Sequence, residues 1–362
     1  MDSTKRINLI VDLSKLGLTI LVACGLVVLI VFGTSSDPVS AFSSFFIGPF
    51  TSLRRIGNIV EAASPLMFTA LAVILIFGAG QFSMITEGAF FIGTLGAMMI
   101  ATSVPLPAGI HPALALLVAG AMGAVAASIP ALLKMKWKVS EVVTSLMLNY
   151  IVQFFAIFMV SYYFREISSS SLASIPFLET SVFPVIINGT RIHFGIVLAV
   201  ILCIGTYLLL FRTTFGMKLR ITGDNGKFAN YSGIKVTKVM VIAQIIAGGI
   251  AGIGGGAELL GMYNRFKWTS TPGYGWTGIA VALLARRNPL LVPIAALFMG
   301  YLNVGANIMA RSSDVSSEVV EIIQGVMILM IAAEALLNRW KQRMIVKDAK
   351  AEAAMKGDEA NA

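Results

Sequence analysis

The chain has 362 residues, of which 57% are hydrophobic and only 12% charged, with 34 glycines and a mean hydropathy of +0.85. A soluble domain carries about 25% charged residues, so this composition excludes a cytosolic enzyme, a disordered chain and a coiled coil. It leaves an integral membrane protein built from many helices. The formal charge of +9 poses a choice between nucleic-acid binding and membrane orientation. Cys24 and Cys203 both lie in apolar runs and predict buried thiols, with no disulfide framework.

Apolar runs fall at 16–33, 64–80, 88–104, 112–133, 143–163, 194–211, 238–261, 275–285, 289–309 and 319–338. At about 20 residues per crossing, these predict about ten transmembrane helices. The first run follows Lys5, Arg6 and Lys15 and reads as a retained span, not a cleaved leader. Ser64-Pro65 and Asn288-Pro289 each place a capping side chain before a proline and predict helix starts. The eighth run is too short to cross alone. Between the second and third runs, Gly78 to Gly88 is polar and glycine-rich yet lacks Lys and Arg.

With the N-terminus placed in the cytoplasm, 20 of the 27 basic residues fall on the inner side and 7 on the outer. That bias fits the positive-inside rule. Ten spans with both termini cytoplasmic follow, and the basic excess is accounted for without nucleic acid. The segment Arg165 to His193 becomes a polar outer loop, and Asn188-Gly189-Thr190 matches a glycosylation acceptor. Residues 1–340 are read as the transmembrane domain and 341–362 as a polar cytoplasmic tail.

Polar groups at lipid depth are costly and call for a reason. The fifth run carries Glu141, Ser145, Asn149 and Gln153 at four-residue spacing, one helix face. The stripe either lines a solute path or supplies interhelical hydrogen bonds, and Glu141 lies near the inner surface, where solvation is expected. Gly248, Gly252 and Gly256 share a face of the seventh run and predict close helix packing. Glu87, Glu258, Glu321 and Glu334 could form a proton relay, but His111 and His193 are both read as external. Asn303 and Asn307 lie one turn apart in the ninth run. Tyr274 and Trp276 flank Gly275 and suit either stacking on a planar solute or interfacial anchoring.

The basic segment 212–238 is longer than a simple connection requires. Asn225 to Tyr231 predicts a short helix within it, and the whole reads as a docking surface for a cytoplasmic partner. Gly226-Lys227 is followed by Phe228 and lacks the earlier glycine of a Walker motif, so ATP hydrolysis is not expected of this chain. No cluster of metal-ligating residues and no nucleophile paired with a base is visible, which argues against an enzyme.

The stretches G-M-K-L-R-I-T-G-D-N from Gly216, A-N-Y-S-G-I from Ala229 and G-G-I-A-G-I-G-G-G-A-E-L-L-G from Gly248 resemble the permease family of ABC importers for branched-chain amino acids and simple sugars. E-V-V-T-S-L-M-L-N-Y-I from Glu141, G-Y-G-W-T-G-I-A-V-A-L-L-A-R-R-N-P from Gly273 and A-G-Q-F-S from Ala79 most resemble its nucleoside-importing branch. Ser83 stands where that branch has Asn.

The resemblance implies an all-α membrane fold of ten helices in a five-plus-five repeat, in the bacterial cytoplasmic membrane. It implies a second, similar permease as heterodimer partner, cytoplasmic ABC ATPase subunits that bind ATP and Mg, and an external solute-binding lipoprotein. This chain itself would bind no cofactor and no metal. By the same resemblance, Asp224, Asn225, Gly226, Phe228, Ala229, Tyr231 and Gly233 form the ATPase-coupling helix. Gln81, Phe82, Ser83, Glu87, Asn149, Gln153, Tyr274, Trp276, Asn303 and Asn307 are the candidate substrate path. A bulky charge at Ala229 is expected to uncouple hydrolysis from transport. A permease for ribose or galactose, and an ion-coupled transporter using Glu87, Glu258 or Glu321, are the competing readings.

Overall fold

A computed structural model describes residues 37–314, Ser169 apart, together with Gly25, Phe32, Ile322, Gly325 and Val326. Apart from those single residues, the first and tenth apolar runs lie outside the described residues, as do both termini, Glu321, Glu334 and the polar tail. The described residues carry eleven α-helices and no β-strand, only isolated bridges between Arg165 and Ser174 and between Val185 and His193. In chain order the helices are α1 (Pro38–Phe46), α2 (Leu53–Gly78), α3 (Thr86–Ser103), α4 (Ile110–Trp137), α5 (Glu141–Tyr163) and α6 (Gly195–Arg212). There follow α7 (Thr214–Asp224), α8 (Gly226–Tyr231), α9 (Val236–Met262), α10 (Tyr274–Leu284) and α11 (Val292–Ser312).

Among the described residues, six helical segments are long and apolar enough to cross a membrane: α2, α4, α5, α6, α9, and Pro289–Ser312, where a 3-10 turn leads into α11. Helix α3 has 18 residues and is almost wholly buried, while α10 has only 11. The eighth run is therefore a short helix in the structure as in the sequence.

The chain divides into two units. One comprises Met1–Ser44 with Met309–Ala362. Within it, Asp37 caps the start of α1, its carboxylate accepting from the Ser40 N–H at 3.2 Å. The rings of Phe32 and Phe42 lie 6.2 Å apart. The other unit, Phe45–Ile308, carries the rest.

In that second unit α9 is the central strut, packed against α4, α3 and α2, with α10 lying on α2. Small residues set these contacts. A Cβ built on Gly93 of α3 would collide with the Gly252 backbone of α9. One on Gly123 of α4 would meet Gly248 and Gly252, and one on Gly256 would lie 2.9 Å from the Ala119 Cβ. Backbones this close gain dispersion contact along the whole crossing, which is how helices associate where lipid removes any hydrophobic driving force.

Of the two helix starts read from the sequence, one holds and one does not. Asn288 does cap its turn, its side-chain oxygen accepting from the Leu290 N–H at 3.1 Å. Ser64-Pro65, by contrast, lies inside α2, which begins at Leu53 with Ser52 as its cap. Pro65 removes the N–H that would bond four residues back. A membrane helix tolerates this when neighbours shield the site, and Ser64 and Pro65 are both buried.

The polar segment 165–193 is tied down along its length. Phe177 and Phe183 donate N–H bonds to the carbonyls of Asn264 and Leu260 at 2.9 and 3.0 Å. The imidazole of His111, buried at the start of α4, pairs with the Thr180 hydroxyl at 2.8 Å. Thr190 of the glycosylation triplet is buried and its hydroxyl donates to the Ile187 carbonyl at 2.8 Å.

Candidate functional site: a clamped break and its neighbours

Helix α2 ends at Gly78 and α3 begins at Thr86, leaving 79–85 without regular structure. Gly80 takes φ +72°, a left-handed conformation that turns the chain out of α2. Such a segment beside transmembrane helices must find partners for its freed backbone groups, and it finds them on α5. The Glu141 carboxylate accepts from the Phe82 N–H at 2.6 Å. Ser145 Oγ accepts from the Met84 N–H at 3.0 Å, and Asn149 Oδ1 accepts from the Gly88 N–H at 3.0 Å. Asn149 Nδ2 donates to the Met84 carbonyl at 2.9 Å. One face of α5 thus holds two N–H groups and a carbonyl of the break and one N–H in the first turn of α3.

Glu141 is not solvated as its position in the sequence suggested. It is 7% exposed, and its second oxygen forms an ion pair with Lys134 Nζ of α4 at 2.8 Å. Gln153 continues the stripe half-buried, one turn beyond the clamp. Within the break the side chains divide. Gln81 and Ser83 are buried, with Gln81 Oε1 and Ser83 Oγ lacking a hydrogen-bond partner among the described residues. Phe82 is 51% exposed and stacks on Phe77 at 5.0 Å.

A second irregular segment, 263–273, separates α9 from α10. Here one carboxylate supplies the tie. Glu87, in the first turn of α3, accepts from the N–H groups of Gly273 at 2.7 Å and Gly275 at 2.5 Å. The anion sits at the N-terminus of α10, where the helix dipole and unpaired N–H groups favour negative charge. Gly275 has no room for a side chain, since a Cβ would lie 2.6 Å from the Glu87 nitrogen. With both oxygens committed to backbone N–H groups, Glu87 is a structural tie and a poor relay site.

Aromatic rings line the neighbourhood of this tie. Trp268 stacks on Phe90 and Phe91 at 6.3 and 6.2 Å and meets Tyr263 edge-on at 5.4 Å. Tyr274 meets Phe90 edge-on at 5.4 Å, while Trp276 is 47% exposed. The break, Asn149, Glu87 and Tyr274 thus gather around α3. Asn303 and Asn307 do not join them: they lie on an exposed face of α11, bonded to each other at 2.7 Å.

The segment after α6 folds as two helices. Helix α7 was not foreseen, because glycines and threonines dilute its pattern, yet Gly216, Leu219 and Thr222 bury one face at three-residue spacing. Asn225 caps α8, its Oδ1 accepting from the Phe228 N–H at 3.0 Å. Gly233, at φ +79°, ends the turn as a left-handed residue. Asp224 and Gly226 flank the cap. Ala229 is wholly buried within the chain, whereas Phe228 and Tyr231 are 60% and 92% exposed. A charge at Ala229 would first disrupt α8 itself, so Phe228 and Tyr231 are the side chains free to meet a partner. Beside α8 lies an open cavity of about 880 Å³ lined by Lys227, Asn230, Lys235 and Lys238 with Met135 and Ile242.

Three polar residues were not singled out by the sequence reading: half-buried Glu61 of α2, buried Gln244 of α9, and the ion-pair partner Lys134, whose side chain is 36% exposed. Gln244 is fully buried with both amide atoms unpaired among the described residues. An amide alone in the run V-I-A-Q-I-I-A-G was the available signal.

Residues 55–332 match the family described as the branched-chain amino acid transport system permease component. The chain is 33% identical to the guanosine ABC transporter permease protein NupP of Bacillus subtilis, over 86% of this chain and 90% of that one. It is 31% identical to the glucose ABC transporter permease protein TsgB13 of Haloferax volcanii, over 90% and 88% of the two chains. It is 26% identical to the nucleoside ABC transporter permease protein NupB of Lactococcus lactis, over 87% and 88%. No solved structure gives a significant match. With the family matched over most of its length and its apolar helices in place, the chain is a multi-pass membrane protein belonging to the branched-chain amino acid transport system permease family.

Proposed function

We propose that the chain is the transmembrane permease subunit of an ATP-driven ABC importer that takes up nucleosides by alternating access. The observation that carries this reading is the full-length similarity to guanosine and nucleoside ABC permeases. The site agrees with it in chemistry. Around α3 lie neutral amides, hydroxyls and aromatic rings, including Gln81, Ser83, Asn149 and Tyr274, suited to an uncharged solute with a planar base.

In this reading ten helices form a five-plus-five repeat in the bacterial cytoplasmic membrane, with both termini inside. The segment α7–α8 faces the cytoplasm and offers Phe228 and Tyr231 to an ATPase subunit, which holds ATP and Mg. This chain holds no cofactor. ATP binding closes the ATPases and turns the permease outward to receive solute from an external binding lipoprotein; hydrolysis resets it inward. A second permease is expected as partner. Bacillus subtilis, Lactococcus lactis and Haloferax volcanii each contribute two permease relatives of shared name stem.

The glucose permease relative favours a second reading, import of a simple sugar. Ribose within a nucleoside and glucose share hydroxyl-rich faces, so uptake must decide. The test is ATP-driven uptake of radiolabelled guanosine by the assembled importer, with unlabelled nucleosides or glucose as competitors. Competition by nucleosides alone supports the proposal; competition by glucose alone replaces it with the sugar reading.

A further inference from the structure

Helix α7 touches the break through bare backbone. A Cβ built on Gly223 would collide with the Gly78 carbonyl oxygen and lie 3.2 Å from the Gly80 nitrogen. Viewed from the other side, a Cβ on Gly80 would lie 3.1 Å from the Gly223 Cα, and one on Gly78 would lie 3.1 Å from Leu219 Cδ2. Leu219 and Thr222, on the same face of α7, are buried. Gly223 meets Gly78 and Gly80 backbone to backbone, so no side chain cushions that contact. Packed interiors are stiff and pass small shifts on to their neighbours.

The opposite side of the break is held directionally by Glu141, Ser145 and Asn149 of α5. Any movement of α7 relative to α5 must therefore be taken up in the few residues between, and Phe82 is the ring that the break leaves half exposed. Resting on the importer reading above, we infer that Phe82 is a gate of the solute path, moved by the α7–α8 unit through the contact of Gly223 with Gly78 and Gly80. Gly223 is a positioning residue in this scheme and touches no solute.

The test uses the assembled importer carrying Phe82→Cys with Cys24→Ser and Cys203→Ser. Maleimide labelling of the new thiol is measured without nucleotide and after trapping with ATP and vanadate. The rate is expected to differ by about fivefold or more between the two states, a population shift read at one atom. Adding Gly223→Ala, whose methyl has to displace the Gly78 carbonyl, should bring the two rates together, with co-purification and ATP hydrolysis checking that the importer still assembles. Should that variant fail to assemble, Gly78→Ala serves instead, since its clash is only with the flexible end of Leu219; it should shrink the difference by about half.

Equal rates in the parent, or an undiminished difference in either glycine variant, would overturn the inference. The labelling needs no solute, so an error in the nucleoside assignment leaves its outcome unaffected. Failure of the parent to associate with any ABC ATPase would instead refute the importer reading.

Discussion

The two irregular segments of the body, 79–85 and 263–273, solve the same problem by opposite means. The first spreads its backbone groups over Glu141, Ser145 and Asn149, three side chains on successive turns of α5. The second hangs the start of α10 on one carboxylate, Glu87. A distributed clamp loses only part of its bonds when one member goes. A single charged tie is strong and all-or-none, because hydrogen bonds to an ionised acceptor are roughly twice as strong as neutral ones.

The sharpest way to break the comparison is Glu87→Ala. It strips the acceptor from Gly273 and Gly275 together and leaves two N–H groups unpaired, that of Gly275 buried. A loss on the order of 3–5 kcal/mol is expected, visible as a large drop in thermal unfolding temperature in detergent and loss of uptake.

Next in size is an effect of pH at the chain leading into the second segment. His193 is buried against Gly261, stacked on Phe183, with Nδ1 accepting from the Gly195 N–H at 3.1 Å. Burial pushes its pKa from 6.5 down to about 4. The folded protein therefore prefers the neutral ring. Its contribution is complete above pH 6.5 and falls away as the unfolded form takes up a proton, down to about pH 4. The full loss is on the order of 3 kcal/mol. His193→Phe should flatten the acid limb of a stability–pH profile, leaving the first segment untouched.

Smaller effects belong to the distributed clamp. Asn149→Ala removes one donor and one acceptor and should cost about 2–3 kcal/mol. Ser145→Ala, which frees only the Met84 N–H, should cost about 1 kcal/mol. Both are read as unfolding temperatures. A cost for Asn149→Ala as large as that for Glu87→Ala would erase the distinction between the two segments.

What the sequence disclosed follows from the range of each interaction. The spacing of Glu141, Ser145 and Asn149 is local, so a shared face was legible. Their partners are backbone groups some sixty residues away, which no side-chain pattern encodes. Interhelical hydrogen bonding, one of the two readings, holds for Asn149, which accepts from Gly88 inside α3; Glu141 and Ser145 instead tie unwound backbone, which neither reading named. Ser64-Pro65 resembled a start because capping signals are read over a few residues, whereas α2 was already established from Leu53. The short helix over Asn225 to Tyr231 was local and legible, though Asn225 proves to be its cap. The burial of Ala229 was not, since it depends on what α8 rests against.

Whether energy enters through a partner ATPase is tested most directly by uptake of radiolabelled guanosine into proteoliposomes holding this chain, the proposed second permease and the ATPase subunits, supplied with the proposed binding protein. Uptake should require ATP at the ATPase face, survive a protonophore, and vanish when Phe228 and Tyr231 of the exposed α8 surface are both replaced by Glu. Uptake that continues without the ATPase and collapses with the proton gradient would contradict the account and restore an ion-coupled transporter.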